Sequence, residues 1–183
     1  VFGTLVNSGN GKDSPRTQII FATHSPFFVN ISDFNQIRIL RKVPSDAPNP
    51  MQSQVFTFSL DEAIAEWSKI SKEDPSNLKE RGFIARTIPI MTTLVNEGFF
   101  ADTIVIVEGL SDLGILWTLQ EIMGKKWSEK GIAILPVSGK ANLDRPAIIF
   151  RGFQIPMFLL FDGDIKHKGK KEDERKNAEL NKK

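Results

Sequence analysis

An α/β domain built on a parallel sheet is the fold class this sequence predicts, and two features predict it. Residues 103–107 (TIVIV), 131–137 (GIAILPV) and 155–161 (IPMFLLF) are continuously apolar, and residues 112–123 between the first two carry helically spaced Leu113, Leu116, Leu119 and Met123. Apolar strands alternating with helices belong to a parallel sheet covered on both faces. The second feature is the acids that end two of these runs: Glu108 with Asp112 after the first, Asp162-Gly163-Asp164 after the last. In such sheets, sites lie at the carboxyl ends of the strands.

The earlier elements follow in order. Residues 17–23 (TQIIFAT) form an apolar strand, and Ser25-Pro26 supplies an N-cap and first helical position for a short helix at 27–29. Residues 36–41 (QIRILR) alternate as a half-buried strand does, whereas 43–50, with three prolines, reads as a loop. Another strand is expected at 54–58. Ser59-x-x-Glu62 is a capping box, and Leu60, Ile64 and Trp67 continue it as an amphipathic helix. Residues 72–81 are polar and read as a linker, and a helix at 89–96 should stop with Gly98 at C′. The expected division is 1–71, a linker and helix over 72–100, and a domain over 101–183.

Composition sets bounds. With 183 residues and 40% hydrophobic content, the chain can bury a core. Its net charge is +2, but from Ile165 onward seven Lys and one Arg face three Glu and one Asp. That basic tail suits a phosphate backbone, and equally a solvated helix over 171–183. Cysteine is absent, which excludes thiolate metal sites and fits a reducing, cytoplasmic location. No apolar run approaches a membrane span of roughly 20 residues. The chain opens on Val1 without a Met and reads as part of a longer protein.

Two chemistries compete at the acids. Asp112 falls in the first turn of a helix, where the dipole favours an acid, but Glu108 ends a buried strand and needs a partner. Asp162-Gly163 is a common hairpin dipeptide, yet Ile-Lys-His-Lys-Gly-Lys-Lys follows closely and is poor strand material. Carboxylates gathered at neighbouring strand ends repel unless a cation joins them, and hard oxygen ligands select Mg²⁺ or Mn²⁺.

An apolar strand ending in Glu-Gly, an acid soon after, and a later strand ending in Asp-x-Asp resemble the TOPRIM domain of topoisomerases, bacterial primases and several nucleases. The pattern is met at Glu108, Asp162 and Asp164, with Asp112 at a frequent accessory position. Val137-Ser138-Gly139-Lys140-Ala141-Asn142 resembles the Gly-Lys segment between those motifs, which makes Lys140 a candidate phosphate contact. Upstream, Ile19-Ile20-Phe21-Ala22-Thr23-His24-Ser25-Pro26 resembles the switch-histidine segment of ABC-type ATPases, in which His24 would sense the nucleotide γ-phosphate. No phosphate loop precedes it in this chain.

An ABC-type ATPase end running into a TOPRIM domain resembles the OLD (overcoming lysogenization defect) family of nucleases, the group of the Gabija antiphage nuclease subunit. The resemblance implies the end of an ATPase domain plus a Rossmann-like TOPRIM domain, each incomplete here. It further implies a DNA endonuclease using Mg²⁺ or Mn²⁺, with Glu108, Asp162 and Asp164 catalytic and Asp112 an added ligand. ATP would act in the longer protein, which would form a homo-oligomer through the ATPase domain, and a helicase or other defence subunit would be a partner. The alternatives are a topoisomerase or primase, or a non-catalytic DNA-binding or assembly module. The chain contains no Tyr to serve as a topoisomerase nucleophile.

Overall fold

The computed structural model describes residues 2–6, 18–46, 50–71, 80–163 and 179–180. Asp164, the basic tail apart from two residues, and most of the polar stretch 72–81 lie outside the described residues.

Strand β1 (Phe2–Val6) pairs antiparallel with β2 (Gln18–Ala22), Phe2 opposite Ala22. Pro26 opens a 3₁₀ turn as expected, but Ser25 makes no side-chain cap; its N–H instead donates to Thr23 Oγ1 at 3.0 Å. Strands β3 (Ile39–Pro44) and β4 (Met51–Phe56) form a hairpin, so Val43 and Pro44 extend the strand into the expected loop. Pro44 is tolerated because it ends the strand, where a missing N–H costs little.

Helix α1 (Leu60–Ser71) carries the expected capping box: Ser59 N–H donates to Glu62 Oε2 at 2.7 Å, and Glu62 N–H donates to Ser59 Oγ at 3.2 Å. Helix α2 (Glu80–Thr87) is an addition to the sequence reading. It buries only Phe83 and Thr87, one turn apart, which is too narrow a stripe to show as periodicity. Pro89 falls in the turn after it, and the next helix, α3 (Thr93–Asn96), starts later than expected, capped by Thr92. Gly98 is not a C′ residue. It lies inside a 3₁₀ turn (Glu97–Phe100), and a Cβ there would come within 2.6 Å of the Phe150 ring and 2.7 Å of Leu135. Close packing, not a left-handed cap, requires this glycine.

Strand β5 (Thr103–Val107), helix α4 (Leu110–Ile122), strand β6 (Ile132–Pro136), helix α5 (Asp144–Gly152) and strand β7 (Met157–Leu160) then follow. The sheet is parallel, in order β6-β5-β7, with Val107 opposite both Pro136 and Leu160. Moving from β5 to β6 and then back across β5 to β7 puts right-handed crossovers on opposite faces. The core records this. Ile104 and Ile106 pack with Ile149 and Phe150 of α5, whereas Val107 and Val105 pack with Leu113 and Leu116 of α4. The expected apolar stripe of α4 is only partly internal, since Leu119 and Met123 are exposed.

The amino-terminal segment shares the sheet's core. Phe34 and Phe58 meet Phe153 at ring-centroid distances of 5.8 and 6.0 Å, and Phe153 meets Phe99 at 5.7 Å. Trp67 of α1 donates to Asp144 Oδ2 at 3.0 Å and lies under the Arg145 guanidinium at 5.0 Å.

Phe153→Ala removes the ring joining these clusters and is expected to destabilise the protein by about 3–5 kcal/mol. Urea unfolding would show a lower midpoint with an unchanged slope. At Glu62, the Ser59 backbone N–H and then its hydroxyl hold the carboxyl below its ordinary value. A depressed folded pKa contributes stability above the unfolded value and loses it as pH falls through the folded one. The melting temperature of Glu62→Gln should therefore lie below that of the parent near neutrality and converge with it in acid.

Candidate metal centre at the carboxyl end of the parallel sheet

A sheet ordered β6-β5-β7 reverses direction at β5, and the crevice beyond the β5 and β7 carboxyl ends is the switch point where α/β folds bind ligands. Glu108 follows Val107 there, level with Phe161, and Asp162 stands one residue beyond on the neighbouring strand. Adjacent strands are about 4.8 Å apart, so the two acids occupy one small region. Glu108 is half-buried and Asp162 exposed.

Local hydrogen bonds fix this region. Asp112 Oδ2 accepts the Gly109 N–H at 2.8 Å, the acid-to-N-cap half of a capping box, which closes the first turn of α4. That explains why α4 starts at Leu110, ahead of the expected Asp112. After β6 the chain turns through Ser138 at φ 61° and Gly139 at φ 129°. Gly139 N–H donates to the Glu108 carbonyl at 2.7 Å, and Asn142 Nδ2 donates to the Val137 and Ser138 carbonyls at 3.0 and 3.1 Å. Lys140 is 9% exposed; its Nζ donates to the Asp162 carbonyl and lies 5.1 Å from the Phe161 ring centroid. Sequence reasoning singled out Lys140 but passed over Asn142, although an Asn three residues after Ser138-Gly139 is a turn signal.

Among the described residues, no three His, Asp or Glu side chains stand together closely enough to hold a metal ion. Glu108 and Asp162 are brought to adjacent strand ends, Asp112 is engaged at the α4 cap, and Asp164 lies outside the described residues. This donor set fits Mg²⁺ or Mn²⁺, because Mg²⁺ is commonly held by one or two carboxylates plus water and phosphate oxygens.

His24 belongs elsewhere. Its exposed ring stands 6.4 Å from that of Phe100, just before β5, at the opposite end of the sheet. The five residues of β5 separate it from Glu108 by roughly 17 Å. There it borders a cleft of about 690 Å³ with Arg41 and Asp102. Arg41 Nη2 donates to the Ala101 carbonyl at 2.6 Å; burial lowers its guanidinium below the ordinary value, and the Asp102 charge partly offsets this.

Asp112→Ala should cost about 1 kcal/mol through the lost cap and dipole interaction. Asp112→Asn should keep most of that stability, and thermal melts of the two variants check the difference.

Among the described residues, no helix is long and apolar enough to cross a membrane. Residues 99–164 match the family model described as overcoming lysogenization defect protein-like, TOPRIM domain. Over 173 residues, 93% of its length, the chain is 26% identical to a protein of Thermus scotoductus named OLD nuclease. It spans 30% of that relative's length. Parallel sheet, helices on both faces and acids at the switch point give the segment 99–164 the Rossmann-like α/β architecture of a TOPRIM domain, in line with its match to that family model.

Proposed function

We propose that this chain is part of a DNA endonuclease that depends on Mg²⁺ or Mn²⁺ and is governed by an ABC-type ATPase domain in the longer protein, with a role in antiphage defence. The placement of Glu108 and Asp162 at the carboxyl ends of adjacent parallel strands carries this reading. The name of the Thermus relative supports a nuclease over other TOPRIM chemistries.

Glu108 and Asp162 would hold the cation, with Asp112 and Asp164 as further ligands. Once bound, the metal supplies Lewis-acid stabilisation of the phosphate and a more acidic water. The chain's own contribution is placement. The amino end of α4 opens beside Glu108, and its first-turn N–H groups, which have no intrahelical acceptor, favour an anionic phosphate there. The Gly139 N–H holds the Glu108 backbone, which limits how far its carboxylate can drift from Asp162.

His24 is the proposed nucleotide switch. At the far end of β5, it would influence cutting without touching the metal or DNA. Assembly through the ATPase domain, and a partner such as a helicase, belong to the same reading.

Nicking of supercoiled plasmid with Mg²⁺ or Mn²⁺ tests the centre in the full-length protein. Glu108→Ala and Asp162→Ala should each reduce nicking by at least about 100-fold, the scale of losing one electrostatic stabiliser of a transition state. Variants that cut as well as the parent would refute the assignment, and a covalent protein–DNA adduct after denaturing quench would point to a topoisomerase. His24→Ala should change ATP hydrolysis and leave nucleotide-free nicking unaltered.

A further inference from the structure

We infer that Lys140 is a positioning residue: its ammonium anchors the main chain at Asp162 so that the Asp162 and Glu108 carboxylates keep a metal-binding spacing, and it is not a direct contact to DNA phosphate. The inference rests on the metal-centre reading above.

A lysine awaiting a phosphate keeps its ammonium in solvent, whereas Lys140 is 9% exposed and its ammonium lies over the Phe161 ring. A buried ammonium needs strong acceptors, and Lys140 Nζ has the carbonyl of Asp162. That contact falls on the backbone of the residue bearing a ligand carboxylate.

The same turn holds the other acid. Gly139, adjacent to Lys140, donates its N–H to the carbonyl of Glu108 at 2.7 Å. Two consecutive residues thus grip the two strand ends, one by backbone and one by side chain. The turn is itself fixed. Ser138 is in the left-handed region, disfavoured for a non-glycine residue, and Asn142 ties the turn down with two hydrogen bonds. Such a turn transmits position, and β7 needs it. Its end, Phe158–Phe161, is exposed, so burial alone does not fix Asp162.

Mn²⁺ binding to the full-length protein, without DNA or nucleotide and with Glu108→Ala as background, separates the readings. Lys140→Met keeps the apolar stem but has no donor; Lys140→Gln has a donor but no charge. Positioning predicts that Lys140→Met weakens Mn²⁺ binding about tenfold, the scale seen when a group orienting a ligand is lost, while Lys140→Gln stays close to the parent. Equal effects in the two variants, including none in either, overturn the inference. So does a loss of DNA affinity in both with Mn²⁺ binding intact, the signature of a phosphate contact. If Lys140→Met fails to fold by circular dichroism, Lys140→Gln decides alone, and a tenfold loss in it overturns the inference. A parent that shows no Glu108-dependent Mn²⁺ binding refutes the metal centre itself, and this inference with it.

Discussion

The structure depends on β5 being buried on both faces. Ile104, Ile106 and Val107 are fully inaccessible, flanked by β6 and β7 and covered by α5 on one face and α4 on the other. A strand so enclosed has one conformation and one register, because a slip by one residue would exchange the sets facing each helix. Glu108 inherits that rigidity. It is the first residue past the buried run, where the chain leaves the apolar interior and a carboxylate becomes affordable. Asp162 does not inherit it, since the outer strand β7 is paired on one edge only among the described residues. The turn after β6 compensates. Its hydrogen bonds to Glu108 and Asp162 tie the rigid strand end to the less constrained one.

The amino-terminal segment is held to this sheet by a shared interior. Phe34 packs edge-on against Phe58, Phe58 against Phe153, and Phe153 and Phe150 against Phe99, so one aromatic cluster spans both regions. Edge-to-face pairs at these separations contribute beyond their burial, by about 0.5–1.5 kcal/mol each. Polar links reinforce the contact. Asn96 donates to the Val29 carbonyl at 3.1 Å, and Trp67 bonds Asp144 beside the guanidinium of Arg145. The hairpin β3–β4 is tied in by Arg41, whose bond to Ala101 lies two residues before β5 begins. The amino-terminal segment is therefore bonded directly to the chain just ahead of β5.

Legibility in the sequence followed the physics of burial. β5 is legible residue for residue because an uninterrupted TIVIV run has no competing interpretation, and the α1 cap because Ser59 and Glu62 satisfy each other within four residues. What failed depended on contacts distant in sequence. Gly98 has the look of a helix stop, and only the approach of Phe150, fifty-two residues on, reveals a packing glycine. Helix α2 buries too little of itself to leave a periodic trace. Of the candidate centre, Glu108 and Asp162 were legible as acids ending apolar strands, and their adjacency followed from the parallel topology. Lys140 was singled out for its charge, but nothing local discloses that its ammonium turns inward to a carbonyl twenty-two residues away.

The separation of His24 from the carboxylates constrains how a nucleotide signal would reach them. A packed strand transmits displacement along its length and resists bending, because its side chains have no free volume into which to relax. Under the proposed function, a change at His24 would press on Phe100 and the start of β5 and shift the strand as a unit against its neighbours. Glu108 would then move relative to Asp162, which belongs to another strand, and a small change in carboxylate spacing matters for Mg²⁺ because it demands near-ideal geometry. The turn at Ser138–Asn142 opposes this relative motion, holding both strand ends at once. Regulation and metal affinity would thus be set by the same few hydrogen bonds, with a stiffer turn favouring tight binding and a looser one favouring response to the nucleotide.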